Sequence, residues 1–457
     1  MKPKDILFQA LEREKSERTP WVPFVGSHAA KLLDFSAEKY LKDEQLIIDG
    51  VSRAIELYQP DGIPVMFDLQ IEAEALGCDF KWADDNPPTV TGHPLQGELE
   101  LEDLSLPTAE DARYPIVLKA MEELNDKYGE EIALYGLITG PFTLALHLLG
   151  SEIFMSMYDD PEYVHRLLDF CKEVGQKTAS MYIEAGMDVI AVVDPMVSQI
   201  SPTAFNNFVA GPVREIFELI EEKRAYSSLF VCGNAQPNIE EMCKCQPDNI
   251  SIDENIPLDY VRDKCQEYDV SFGGNMELTT VLLMGSENKC KRHALECMEI
   301  GGEEGYILAP GCDIPYDVAP ENLMAVTEVV HNKEAYDLME MEIDDEEEVD
   351  IELPDYDNLD KVLIEIFTLD SKACAPCQYM VNSVYEAISD NLKQKVELRE
   401  YKIKEKEAVS RMKKLGVQSI PSVLIDGEVK YDSVTPSKEE LKEEIMDAVS
   451  GKLGLAV

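Results

Sequence analysis

The feature that most limits what this chain can fold into is an alternation that fills roughly its first 335 residues. Short apolar runs suited to buried strands fall at Trp21–Val25, Gly62–Phe67, Ile132–Leu137, Asp188–Val193, Ser227–Val231, Asn249–Ile252, Val270–Gly273 and Gly305–Ala309. Longer amphipathic stretches lie between them, among them Asp43–Leu57, Pro161–Glu184, Pro202–Ala225 and Pro320–Val330. Eight strands separated by helices predict an α/β fold, a parallel (β/α)8 TIM barrel over residues 1–335. In such a barrel the loops after the strands build the active site.

That rule selects, strand by strand, His28, Asp68, Gly140 with His147, Asp194, Cys232 with Asn234, Asp253, Asn275 and Cys312. Cys232 and Cys312 are far apart in sequence yet belong to one rim. Two thiolates on one cavity suit Zn²⁺, which favours sulfur and in an enzyme keeps a position open for substrate. Cys243 and Cys245 point different ways on a predicted helix, whereas Cys290 and Cys297 share a face and read as core. The 11 cysteines are an odd number, and Met1–Arg18 is charged throughout rather than signal-like, so a cytoplasmic protein without structural disulfides is expected.

The formal charge of −49 lies almost wholly in the first region and the acidic run that follows it. Residues 358–457 hold 15 Lys plus Arg against 17 Asp plus Glu, a net of −2, which leaves −47 before them. Such a field excludes nucleic acid and anionic membranes as partners. The uncharged stretch Ile132–Gly150 is broken by Gly140-Pro141 and reads as strand, turn and helix rather than a membrane span. Residues 336–357, with Asp344-Asp-Glu-Glu-Glu348 and Pro354, read as an extended acidic linker.

Residues 358–457 carry their own pattern. A strand at Leu363–Leu369 leads to Cys374-Ala-Pro-Cys377 at the start of a helical segment, followed by a strand at Val396–Ile403 and by Gln418-Ser-Ile-Pro421-Ser-Val-Leu-Ile425. A helix N-terminus gives Cys374 thiolate character, and Cys377 one turn later can resolve a mixed disulfide.

Several segments resemble the uroporphyrinogen decarboxylase superfamily, and more closely its cobamide-dependent methyltransferase branch: Thr139-Gly-Pro-Phe-Thr-Leu144, Val231-Cys-Gly-Asn234, Ser251-Ile-Asp253, Gly274-Asn275, Ile307-Leu-Ala-Pro-Gly-Cys312 and Pro320-Glu-Asn322. The decarboxylase proper holds its substrate with an N-terminal arginine loop, but Pro20–Ala30 contains no arginine; His147 represents its tyrosine, while Asp68 occupies the place of its catalytic aspartate. The methyltransferase branch carries zinc on a His-x-Cys motif and a later Gly-Cys. Cys232 and Cys312 match, but Phe230 stands where the histidine belongs, so His28, Glu72, His147 or Asp253 would have to complete the site, or the metal role is altered.

The resemblance implies methyl transfer from a methylcobamide on a partner corrinoid protein to a small thiol acceptor activated by zinc. Asp68 and His147 would orient groups or relay protons, and Asn234 and Asn275 would contact the cofactor. Residues 359–450 resemble thioredoxin-like domains, which implies that Pro421 is the cis-proline beside the dithiol. Two other readings stay open: a thiol–disulfide oxidoreductase using Cys374 and Cys377, and a corrinoid-protein-binding module.

Overall fold

Seven of the eight apolar runs become strands of one parallel sheet in the computed structural model, which describes residues 1–97, 99–336, 338, 341, 351–369, 375–388, 392–403, 405–417, 419–432, 436 and 438–453. The first is β1 (Gly62–Pro64), after which a small hairpin, β2 (Asp79–Lys81) and β3 (Thr89–Gly92), is inserted. The sheet continues through β4 (Ala133–Thr139), β5 (Val189–Val193), β6 (Tyr226–Val231), β7 (Asn249–Ile252), β8 (Ser271–Met276) and β9 (Tyr306–Pro310), neighbouring one another in that order.

The eighth stave is shorter than expected. Trp21 forms a single parallel bridge to Leu308, because Pro20 and Pro23 have no N–H to extend a ladder. It still closes the ring: Val22 N–H donates to Leu308 O at 3.0 Å on one side, and Asp61 N–H donates to Trp21 O at 2.9 Å on the other. Alternate residues of the staves point inward, so Phe24, Phe67, Leu137, Val193, Phe230 and Ala309 share one interior cluster. Cys232 and Cys312 pack on that cluster.

The chain divides into two compact units, Met1–Asp344 and Asp345–Val457. The second has a four-stranded sheet in the order β11-β10-β12-β13, with β10 (Val362–Thr368), β11 (Val396–Lys402), β12 (Ser422–Ile425) and β13 (Glu428–Asp432). β10 runs parallel to β11 and antiparallel to β12. Helices Ala375–Ala387 and Lys438–Leu453 bury Met380, Val384, Leu441 and Ile445 against it. Within the unit Glu365 is fully buried and tied to Arg411 Nε at 2.7 Å and to the Tyr356 hydroxyl at 2.8 Å.

That last bond corrects the linker. Residues 351–357 are not extended solvent-swept chain: Lys414 Nζ donates to Ile351 O and Lys452 Nζ to Tyr356 O, each at 2.6 Å. Tyr356 is an aromatic foothold inside an otherwise acidic run. The run Asp344–Glu348 itself lies outside the described residues.

Candidate functional site at the barrel mouth

Cys232 follows β6 and Cys312 follows β9, and the closed ring brings their sulfur atoms to 2.7 Å across the mouth. The chain turns away after Cys232 at Gly233, whose φ of +86° favours glycine. Gly233 N–H donates to Asp253 Oδ2 at 2.7 Å, and Asp253 Oδ1 accepts from Asn255 N–H at 2.9 Å. Gly311 lets the other cysteine loop pass close by, since a Cβ there would lie 2.5 Å from Glu254 N. The rim is thus built from three strand-end loops locked to one another.

Asp313, next to Cys312, is a member of this rim that sequence reasoning missed, although its place beside the cysteine was a usable signal. The backbone N–H groups of Gly26, Ser27 and Ile314 cradle its carboxylate, yet its Oδ1 is buried with no hydrogen-bond partner. Gly26 makes the cradle possible, because a Cβ would sit 2.4 Å from Asp313 Oδ1. Burial pushes the Asp313 carboxyl well above its ordinary range. The Cys232 thiol is also pushed up, first by its hydrogen bond with Cys312 and then by burial and the charges of Asp253 and Asp313. Burial and the adjacent Asp253 push Glu254 up to about 8.

The other predicted site residues are spent elsewhere. Asp68 Oδ2 accepts from Arg113 Nη1 at 2.6 Å and its Oδ1 from Gln70 N–H at 2.9 Å, so it is the buried half of an ion pair rather than a free proton relay. His147 lies in the wholly buried helix Pro141–Leu149, where its backbone carbonyl meets Cys78 Sγ at 3.3 Å and His93 Nδ1 at 2.8 Å, its ring Nδ1 is buried with no hydrogen-bond partner, and burial lowers its pKa to about 3. Burial keeps that ring neutral inside the helix layer, and among the described residues it joins no cluster of possible metal ligands. Asn275 donates its Nδ2 to Asp253 O at 3.1 Å and Ile256 O at 2.7 Å, which pins the loop instead of meeting a cofactor. Asn234 Oδ1 accepts from Gln236 N–H at 3.3 Å, holding its own turn.

Among the described residues zinc finds two sulfur donors here, and Asp253, the carboxylate that could join them, already accepts from Gly233 and Asn255. His28 is not the missing ligand: Nε2 meets the Tyr58 hydroxyl at 2.7 Å and Nδ1 meets Tyr316 O at 3.2 Å. Nor is Glu72, whose carboxylate accepts from Thr139 N–H at 3.0 Å and Thr139 Oγ1 at 2.8 Å. Phe230 sits one interior layer below Cys232, with its ring 4.9 Å from Phe24 and 5.9 Å from Phe67. Among the described residues no group of three or more His, Cys, Asp or Glu could hold a metal ion. The donor set does not fit the ion.

The Thr-Gly-Pro-Phe-Thr segment has a structural task that its place in the sequence did not reveal. Asp194, after β5, accepts from Phe142 N–H at 3.0 Å, Thr143 N–H at 2.9 Å and Thr143 Oγ1 at 2.6 Å. It caps the helix after β4, not the one after its own strand, and a Cβ on Gly140 would come within 2.3 Å of it. Burial raises Asp194 from 3.8 to about 6, outweighing those bonds. A carboxyl raised on folding stabilises the fold fully below its unfolded pKa, and that contribution is lost as pH rises through the folded value. Between pH 4 and pH 7 the wild type is therefore expected to lose about 2 kcal/mol relative to Asp194→Asn. Urea unfolding at the two pH values checks this; an unchanged gap would mean that Asp194 does not titrate with folding.

In the second unit, Cys377 is buried near the start of helix Ala375–Ala387 and takes part in a disulfide. The Ile420–Pro421 peptide bond is cis. Cys374 lies outside the described residues. Among the described residues no helix is long and apolar enough to cross a membrane.

With this geometry in place, comparison with known proteins gives the class. Residues 2–333 match the uroporphyrinogen decarboxylase (URO-D) family, and residues 362–446 match the thioredoxin domain. The chain belongs to the URO-D family and carries a C-terminal thioredoxin domain. It is 26% identical over 336 residues to the methylcobamide:CoM methyltransferase MtbA of Methanosarcina acetivorans, covering 72% of this chain and 98% of that protein. It is 24% identical over 341 residues to the uroporphyrinogen decarboxylase of Carboxydothermus hydrogenoformans, covering 72% and 96%. Among solved structures, a methyltransferase from Methanosarcina mazei superposes with a TM-score of 0.68 at 24% identity, covering 73% of this chain and 99% of that one, which establishes the shared barrel.

Proposed function

We propose that the barrel transfers a methyl group from a methylated corrinoid, presented by a corrinoid protein, to the sulfur of a small thiol. The observation that carries this reading is the meeting of Cys232 and Cys312 at the mouth, in a chain aligned with nearly the full length of a methylcobamide:CoM methyltransferase. Decarboxylation of a tetrapyrrole polycarboxylate is the weaker reading. Arg18 is bound through both terminal nitrogens to Asp61, at 2.7 and 2.8 Å, and Arg113 is held by Asp68 and Glu74. A polyanion would meet a strongly acidic barrel with neither guanidinium at its disposal.

In the reaction an S–CH3 bond forms as the Co–CH3 bond breaks, the bonding electron pair stays on cobalt, and the acceptor thiol gives up its proton. The two soft sulfurs border the place where acceptor and methyl group meet. In its ionised form Asp313, with Oδ1 buried beside Cys312 without a partner, receives the proton, which burial makes it hold firmly. The backbone cradle of Gly26 and Ser27 keeps that carboxyl in place.

Reduced full-length protein is expected to turn over methylcobalamin with coenzyme M or 2-mercaptoethanol. Asp313→Asn should lower kcat by about 10²-fold with little change in KM for the thiol. Decarboxylation of uroporphyrinogen, together with no methyl transfer from either free methylcobalamin or a methylated corrinoid protein, would overturn the proposal.

A further inference from the structure

We propose that Cys232 and Cys312 form a reversible disulfide, which gives the barrel a redox-active pair of its own in addition to the thioredoxin domain. Their sulfurs face each other at 2.7 Å, so a small side-chain movement brings them to the bonded distance of about 2.05 Å. The position that could have supplied a third ligand from β6 is filled by Phe230, packed into the aromatic layer below. Among the described residues no cluster of three or more metal-ligating side chains forms at the mouth, which leaves the two thiols facing each other.

Access singles out the same pair. Of the nine free cysteines among the described residues, Cys232 and Cys312 alone are half-buried, and Cys78, Cys171, Cys243, Cys245, Cys265, Cys290 and Cys297 are buried. Cys243 and Cys265 also approach each other, at 3.9 Å, but both are fully enclosed and beyond reach of an exchange partner. A reagent entering the barrel mouth therefore meets one reactive pair. No rearrangement of secondary structure is needed to close it, since the loops after β6 and β9 already hold the sulfurs together.

The chemistry is a thiol–disulfide exchange. One sulfur of the pair, as thiolate, attacks a disulfide of the oxidant and expels one of its thiols, forming a mixed disulfide. The second sulfur then attacks the first, the S–S bond of the pair forms, and the second oxidant thiol leaves. The pair loses two electrons and two protons, and the oxidant disulfide becomes a dithiol. The reverse reaction needs a dithiol, the chemical class of the thioredoxin domain carried on the same chain. Closing the disulfide removes both sulfurs from the mouth and so stops methyl transfer. That last consequence rests on the function proposed above, whereas the disulfide itself does not.

The test uses the full chain in glutathione redox buffers, first as wild type and then as Cys374→Ser/Cys377→Ser, whose only purpose is to remove the second dithiol from the count. After alkylation and digestion, mass spectrometry should find a Cys232–Cys312 linked peptide that rises from none to most of the protein as the buffer becomes oxidising, and disappears on reduction. Cys232→Ser should abolish it and leave a single mixed disulfide on Cys312. Free, fully alkylated Cys232 and Cys312 in the most oxidising buffer would overturn the proposal, as would one zinc per chain that survives dialysis and protects both sulfurs from alkylation. Methyl transfer is assayed on the fully reduced protein, so a failure there is read separately from a failure here.

Discussion

Replacing Cys232 or Cys312 by serine is expected to lower methyl transfer by about 10²-fold or more, and the double replacement should be no worse than either single one. The reason is geometric. The two sulfurs sit at 2.7 Å at the end of loops that Asp253, Asn275 and Gly233 lock together, so they act as a unit. Residues that act as a unit show losses that do not add. A serine oxygen is smaller and harder than sulfur, and a displacement of about 1 Å at a reacting centre costs on the order of 10²-fold. Rates with methylcobalamin and saturating thiol, under full reduction, measure the effect. Additive losses would mean that the cysteines contribute independently; unchanged rates would remove them from the chemistry.

The largest loss of stability is expected from Arg113→Ala. Its side chain is 5% exposed, and its Nη1 and Nε meet Asp68 at 2.6 Å and Glu74 at 2.5 Å. Its guanidinium carbon also lies 5.0 Å from the centre of the Trp82 ring on the inserted hairpin. Removing it leaves Asp68, whose side chain is wholly buried, as an uncompensated charge within the field of Asp313. Breaking a buried pair in this way costs about 3–5 kcal/mol, whereas replacing both partners by apolar residues is far milder. Both tryptophans, Trp21 and Trp82, belong to the barrel unit, so urea unfolding followed by their fluorescence reports that unit alone. A loss below about 1 kcal/mol would show that the pair is solvated or replaceable.

The barrel was legible because a parallel sheet buries both faces of its strands. Runs such as Ile132–Leu137 and Asp188–Val193 are apolar on both faces, and the helices between them carry the 3.6-residue pattern, so the two periods do not compete. The cysteine pair was legible for a related reason: a residue after a barrel strand has to face the mouth, however far away its partner lies in sequence. What the pattern does not carry is direction inside the core. His28, Glu72 and His147 all follow strands, yet His28 and Glu72 are turned toward neighbours that only the closed ring supplies, Tyr58 and Thr139, and the His147 ring is buried in its own helix layer.

Asp194 teaches the same lesson, because the helix it caps begins more than fifty residues earlier in the chain. The departure at Phe230 could be read from sequence, but its consequence could not. Only the packing of Phe24, Phe67 and Phe230 shows that the layer below Cys232 is closed by aromatic rings, with no cluster of three metal ligands among the described residues. The end of the linker, residues 351–357, departs from its composition for the opposite reason. Its acidic composition is a strong signal for extended chain, and the single ring of Tyr356 overrides it by docking on Glu365 and Arg411.

The most direct test of the central claim, that Cys232 and Cys312 line the cavity where the methyl group is passed, is the alkylation rate of each cysteine in the reduced chain with and without methylcobalamin. With the donor at ten times its Kd, the rates at Cys232 and Cys312 should fall about tenfold, while those of the buried cysteines stay as they were. Unchanged alkylation of Cys232 and Cys312 under bound methylcobalamin, with protection appearing at other cysteines instead, would contradict the account.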